Sequence, residues 1–595
     1  MQPRSPFRWP TLLASLATIA LIAGLLAAAA VPAGAQTAEE RVLVRAKTAA
    51  SYSALKAKAV ADGATVIRDL PQLRTMVVLA SAGQKAKLAA DTRTAGVATD
   101  HVITVAPPNE GAGAAKIAAR QAPGLRSAKK VKLPAARAKA PAAAVLDPAF
   151  DYKGLMWNET RVGIPQAWKK TKGSPKITVG VADTGLDFTH HELAPKVTEV
   201  IDLTRTEGVS ACGDVTDEDL AAEFGGPVTT DWNGHGSWIG GNIAGALDGT
   251  GMNGIAPGVG LVALKISEWC GSAFDSALLT AFVTAADKGI DVVSISFGGY
   301  VDRRDPEQEL LWQAYVDAVA YAKRKGTVIA ASSGNEHVRI GADGKVLSPT
   351  WLLAPGEEFV DLTGSYEAPG GVPGVVNVSA TNRVVNKPSA TCFPGSEGSP
   401  ENLNAVCKPA TDPHQPIGVG RQDQLAYYSN YGPGIDIAAP GGARKFNLPA
   451  WDRGGTPGFP VTGDDLTNAW QTFSITSNWA TGIPCYTFAE GSGFPPDQCY
   501  STIQGTSMAT PHVSAALALT ASAHPSLRKK VDRLVNRVKS KAQSARNTTP
   551  GLSATDTSPG DLTGVACPTG YCHLGGPRIS NREAYGAGIV YVAKP

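Results

Sequence analysis

The 595-residue sequence predicts an α/β fold: a doubly wound, mainly parallel sheet, preceded by a small α+β domain. Three observations carry this. Residues 176–182, 261–266, 291–296 and 327–331 are short runs with little polar alternation. Strands buried on both faces read this way, and they belong to parallel sheets covered by helices. These runs alternate with helix-like stretches, 273–288 and 310–325, as crossover connections require. The preceding segment, 36–107, has its own compact succession of strands and helices and holds none of the cysteines.

Residues 1–35 read as a secretory signal. Arg4 and Arg8 give a positive start, 12–31 is almost wholly apolar, and Ala33-Gly34-Ala35 offers a small-x-small cleavage site. An uncleaved anchor competes, because about 20 apolar residues can span a bilayer; the cleavage site favours removal. The mature chain is then expected to be secreted, without stable membrane association.

In the α+β domain, 41–45, 65–70, 75–79 and 102–105 read as strands, and 51–61 and 84–92 as helices. Residues 108–147 are rich in Ala, Lys and Pro, with Lys129, Lys130, Lys132, Arg137 and Lys139. Such a segment buries too little to fold and reads as an exposed linker open to processing. A nucleic-acid-binding tail is disfavoured: the whole chain carries a net charge of only +3.

The remainder, 148–595, forms one α/β domain. Its core resumes at 375–380 and 435–441, with polar insertions at about 386–424 and 442–501. Residues 513–519 read as a buried helix and 527–538 as a basic outer helix. The eight cysteines all follow residue 200, which agrees with export. Pairing neighbours gives Cys392–Cys407, Cys485–Cys499 and Cys567–Cys572 and leaves Cys212–Cys270; sequence alone does not fix this connectivity.

Four glycine-bracketed turns carry the chemistry. Asp183-Thr184-Gly185 ends a buried strand, where sites of doubly wound sheets form. Gly234-His235-Gly236 opens a helical stretch, Ser333-Gly334-Asn335 ends another strand, and Gly505-Thr506-Ser507-Met508-Ala509 opens the helix over 513–519. Taken singly, each has a plain reading: a strand-end cap, a turn histidine, a left-handed turn asparagine, a helix-capping serine. Taken together, in the order Asp, His, Ser, they resemble the motifs of the subtilisin-type serine proteases (subtilases).

The resemblance spans about 150–595 and implies roles. Ser507 would be the nucleophile, His235 its base and Asp183 the orienter of the imidazole. The Asn335 amide and the Ser507 N–H would bind the oxyanion. Ser296, Phe297 and Gly298 would form one wall of an extended-peptide cleft, and Ala331, Ser332 and Ser333 the other. Residues 36–107 resemble the family's inhibitor-like propeptide, which makes the chain's own N-terminal unit an expected partner beside polypeptide substrates. No cofactor is needed for the chemistry. For structural calcium the resemblance offers Glu192, with Asp248 in a nearby loop, and no full ligand set. This sequence departs from the family at Ser237 and Trp238, where Thr and His are usual, which puts the packing behind His235 in question. A non-catalytic binding protein and a transpeptidase on the same fold are the competing readings.

Overall fold

The computed structural model describes residues 39–104, 156–204, 210–249, 251–348, 362–382, 423–442 except 427, 472–475, 500–547, and 579–595 except 594. The signal segment, the linker, all but the last two residues of the insertion expected at about 386–424, and three of the expected disulfides lie outside these residues.

Residues 39–104 form an antiparallel sheet of β1 (Glu40–Ala46), β2 (Thr65–Leu70), β3 (Thr75–Ala80) and β4 (Thr94–Thr99), in the order β2-β3-β1-β4. Strand β4 was not anticipated, because Thr-Ala-Gly-Val-Ala-Thr is weakly patterned and gains its partner only from β1. Helices α1 (Ala49–Ala61) and α2 (Ala82–Ala90) start at the capping boxes of Thr48 with Ser51 and Ser81 with Gln84. Val42, Val44, Tyr52, Leu55, Val78 and Leu88 pack between helices and sheet. The other face, with Leu43 and Val77, packs into the core of the following domain.

The short strand β5 (Val102–Thr104) does not extend that sheet as expected. It pairs antiparallel with β9 (Ser272–Phe274) of the large domain, so residues 273–274, expected in a helix, are extended. The Arg41 guanidinium stacks 3.7 Å over the Phe274 ring and also holds Asp100. Asp100 in turn accepts from the Ser276 N–H at 3.0 Å, capping the helix that follows.

The large domain is built on seven parallel strands: β6 (Thr178–Asp183), β7 (Val197–Asp202), β8 (Gly260–Lys265), β10 (Val292–Ile295), β12 (Val328–Ser332), β14 (Val376–Thr381) and β15 (Ile437–Pro440). Their order is β15-β14-β12-β10-β6-β8-β7. One face is covered by the helices His235–Ala244 and Thr506–Ala523, through Ile239, Ile243, Val513 and Leu517. The other is covered by Asp275–Lys288 and Pro306–Lys325, through Leu278, Phe282, Leu311 and Tyr315. The insertion expected over 442–501 contributes β16 (Thr472–Ile475), which pairs with β17 (Tyr500–Ile503). The expected basic helix begins later, at Val531–Lys539, after a 3-10 turn at Pro525–Leu527 and the left-handed Lys529. It buries Val531, Leu534 and Val538 on one stripe. No described helix is long and apolar enough to cross a membrane.

Candidate active site

Four chain segments meet at the carboxyl ends of the central strands. Strand β6 ends on Asp183, which is fully buried. Its Oδ1 accepts from the Thr184 N–H and lies 2.8 Å from His235 Nδ1. The chain turns at Gly185 with φ +115°, where a Cβ would press on the Thr230 carbonyl and the Asp231 backbone.

His235 is the first residue of its helix, and the N-cap, Gly234, has no side chain to cap with. Asp231 does that work. Its Oδ1 accepts from the N–H groups of Asn233 and Gly234 at 3.0 and 2.8 Å, and its Oδ2 from Ser237 N–H at 2.7 Å. The Thr184 hydroxyl joins Asp231 at 2.8 Å and accepts from Gly236 N–H at 2.9 Å, tying the Asp183 turn to the His235 turn. Ser237 fits this network: its hydroxyl donates to Asp231 and accepts from Asp187 N–H. Trp238 is wholly buried in the core with Leu186 and Ile239.

His235 is 3% exposed. Burial disfavours its cation, but the charge and hydrogen bond of Asp183, helped by Asp231, outweigh burial and hold its pKa above the ordinary value. The Phe297 ring meets it edge-on, with centroids 6.3 Å apart. The other buried histidine nearby, His512, is driven the opposite way. Burial pushes its pKa down to about 4, and it sits between the Met508 carbonyl and Asn158 as a structural group.

Ser507 is the second residue of the helix Thr506–Ala523, with its N–H at the positive end of the helix dipole. Pro511 lies one turn on and lacks an N–H, so the Ser507 carbonyl has no helical donor. The Ser296 hydroxyl replaces it at 3.0 Å. In return the Ser507 hydroxyl donates to the Ser296 carbonyl at 3.3 Å. The structure forms no hydrogen bond between Ser507 and His235, and His235 Nε2 has no hydrogen-bond partner among the described residues. Ser296-Phe297 thus links the two, holding Ser507 through one residue and facing His235 with the next.

Asn335 follows β12 through Gly334, whose φ is +94°. Its Oδ1 accepts from the Thr506 N–H and hydroxyl, each at 2.9 Å, which fixes the amide orientation. The Nδ2 donor is therefore the end that lies beside the Gly505 turn, 3.8 Å from where a Cβ there would sit. Ser296, Phe297 and Gly298 leave β10, while Ala331 and Ser332 end its neighbour β12 before Ser333. Ile295 and Ala331 are register partners, so the two expected cleft walls spring from adjacent strands.

Glu192 and Asp248 are brought near one another through His191. Glu192 Oε1 accepts from Tyr500 and from Met252 N–H, both at 2.8 Å, and Asp248 lies 3.0 Å from His191 Nδ1. Glu192 Oε1 and Asp248 Oδ2 thus each face a donor. No group of three or more His, Cys, Asp or Glu side chains among the described residues forms a metal site. Cys212 and Cys270 are joined in a disulfide, as expected.

Sequence reasoning missed Asp231 and Lys265. Asp231 was visible as an Asx-turn signal in Asp-Trp-Asn-Gly. Lys265 is fully buried at the end of β8, beside Asp183 in the register. Its ammonium donates to the carbonyls of Thr184 and Thr230 at 2.6 and 3.0 Å and pairs with Asp217 at 2.8 Å. A lone lysine ending an apolar strand was its only signal.

A model of the subtilase family (peptidase S8) matches residues 174–556. Thermitase of Thermoactinomyces vulgaris is 31% identical over 191 residues, 32% of this chain and 57% of that protein. A thermophilic serine proteinase of Bacillus sp. strain AK1 is 27% identical over 291 residues, covering 49% of this chain and 50% of the other. The chain thus spans about half the length of these curated relatives. Among solved structures, the epidermin leader peptide processing serine protease of Staphylococcus aureus superposes with a TM-score of 0.56 at 17% identity, over 93% of this chain and 97% of that one. Fervidolysin of Fervidobacterium pennivorans gives 0.50 at 18%, over 93% and 60%. These two similarities are of fold.

Proposed function

Because this chain belongs to the subtilase family, we propose that it is a secreted serine endopeptidase that cuts polypeptides through an acyl-enzyme on Ser507. The observation that carries the reading is the buried Asp183–His235 pair, 2.8 Å apart, at the same strand ends as the helix-start Ser507.

In the proposed reaction the Ser507 hydroxyl leaves the Ser296 carbonyl and gives its proton to His235 Nε2 as its oxygen attacks the scissile carbonyl carbon. Asp183 keeps its charge, holds the proton on Nδ1 and stabilises the imidazolium. The Asn335 Nδ2 and the Ser507 N–H receive the oxyanion. The carbon–nitrogen bond then breaks and the leaving amine takes the proton from His235. Water, deprotonated by the same histidine, releases the acid. Ser296–Gly298 and Ala331–Ser333 flank the substrate as strand-like walls.

Residues 36–107 act in this reading as an intramolecular chaperone and inhibitor. They are removed by a cut within 108–147, after export has removed 1–35. Their support is the docking of the small sheet on the large domain, where Asp100 and Glu307 satisfy backbone N–H groups across the junction.

The test uses casein with the purified protein. Phenylmethylsulfonyl fluoride should abolish cleavage. Ser507→Ala should lower turnover by about 10⁶-fold, the scale seen on removing this nucleophile in subtilisin, and should leave the precursor uncut. Full activity of Ser507→Ala would end the assignment, and a normally trimmed variant would show that another protease does the processing.

A further inference from the structure

Two carboxylates that the catalytic reading leaves unused lie where the two cleft walls meet. The wall 296–298 runs directly into β11 (Gly299–Val301), which pairs antiparallel with β13 (Tyr366–Ala368) and sets Glu367 opposite Tyr300. The wall 331–333 reaches the same place: a side chain added at Gly370 would strike both the Ser332 carbonyl oxygen and Glu367 Oε1. Glu367 therefore underlies both walls. It is 3% exposed. Its Oε2 accepts from Asn377 Nδ2 at 3.0 Å, while Oε1 has no hydrogen-bond partner among the described residues.

The second carboxylate, Glu336, follows Asn335 directly. It accepts from the Tyr300 hydroxyl and, at 3.4 Å, from Asn430 Nδ2, and it lies where a side chain at Gly334 would have to go. Burial pushes the Glu367 carboxyl well above the usual range; Asn377 opposes this, and the charge of Glu336 adds to it. Burial likewise raises Glu336, against the hydrogen bonds it accepts. Glu336, Tyr300 and Asn377 are the groups acting on Glu367, and none is a cation.

A buried acceptor left without a donor costs free energy until one arrives. The cleft between these walls is where, on the peptidase reading, the residue before the scissile bond inserts its side chain. We propose that Glu367, assisted by Glu336, makes this site select a lysine or arginine at that position. An aliphatic or aromatic side chain would leave Oε1 unpaired, and an acidic one would set another carboxyl beside two whose charged forms burial already disfavours, whereas a cation would draw the proton off and pair with the carboxylate. A guanidinium offers planar donors suited to carboxylates, so arginine should lead lysine. The proposal rests on the peptidase reading of the same cleft.

The test is a set of internally quenched peptides, identical except for Arg, Lys, Phe, Leu or Glu before the cut, given to the mature enzyme. With Arg or Lys, kcat/KM should exceed that with Phe by about 10²-fold, the scale of a buried charge pair. Glu367→Gln should lower the Arg and Lys values by at least tenfold and leave Phe and Leu nearly unchanged, a split that a purely structural role would not produce. Glu336→Gln should shift the ratio in the same direction. The wild-type profile decides by itself should a variant fail to fold. Equal or better cutting after Phe or Leu, or a uniform fall in Glu367→Gln, would overturn the proposal while the peptidase reading stands. No cleavage of any peptide would overturn both.

Discussion

Replacing Lys265 by methionine removes one ammonium that serves three acceptors. Thr184 and Thr230 lose donors at 2.6 and 3.0 Å, and Asp217 loses its counter-ion at 2.8 Å. Lysine and aspartate side chains are 0% and 2% exposed, so water does not replace what is lost. Leaving one partner of a buried pair uncompensated costs about 3–5 kcal/mol. That is a large part of the ~5–15 kcal/mol that keeps a domain folded.

The pH dependence has a defined sign. Burial raises the Asp217 pKa even with Lys265 opposing it. A carboxyl whose folded pKa is raised contributes stability at low pH and loses it as pH rises through that pKa. Without Lys265 the pKa rises further, so the deficit of Lys265→Met should be full near neutrality and shrink in acid. Denaturant unfolding in a Ser507→Ala background, which on the proposed reaction cannot digest itself, measures this. Lys265→Met with Asp217→Asn should recover much of the loss. A variant as stable as its parent at pH 7, or a deficit that grows in acid, would refute the reasoning.

Gly236→Ala places a Cβ against the Gly185 carbonyl oxygen, so the His235 helix must shift from the Asp183 turn. A fall in kcat/KM of at least about 10²-fold with a retained circular dichroism spectrum is expected, on the scale of a 1 Å misplacement. In the proposed reaction His235 must be neutral to act as base, and Asp183 holds its pKa up, so the acid limb of the pH–kcat/KM profile should lie above about 6.5. A limb below that value would show that burial dominates. Replacing Cys212 and Cys270 by serine opens a loop of sequence separation 58. Chain entropy puts the loss near ~4 kcal/mol, read as a lower denaturation midpoint; an unchanged midpoint would mean that the loop is held by its other contacts, such as Asp217 with Trp269 N–H.

The sequence alone determined the parallel α/β architecture and the setting of Asp183, His235, Asn335 and Ser507. Each signal is local. Apolar runs that end in glycine turns mark strand ends, and a small-residue turn before an apolar run marks a helix start. Local signals also misled, as at 273–274, where a helix start was expected and β5 instead draws the chain into a strand. Only the tertiary structure decided the supporting groups. Asp231 caps the His235 helix, but its bond to Thr184 crosses 47 positions. Lys265 gathers carbonyls 81 and 35 residues away. Glu367 reaches the strand that continues from 296–298 through a β pairing with Gly299–Val301 that no period in the sequence announces. Burial is what gives these charges their effect, and burial is set by which distant segments close over them.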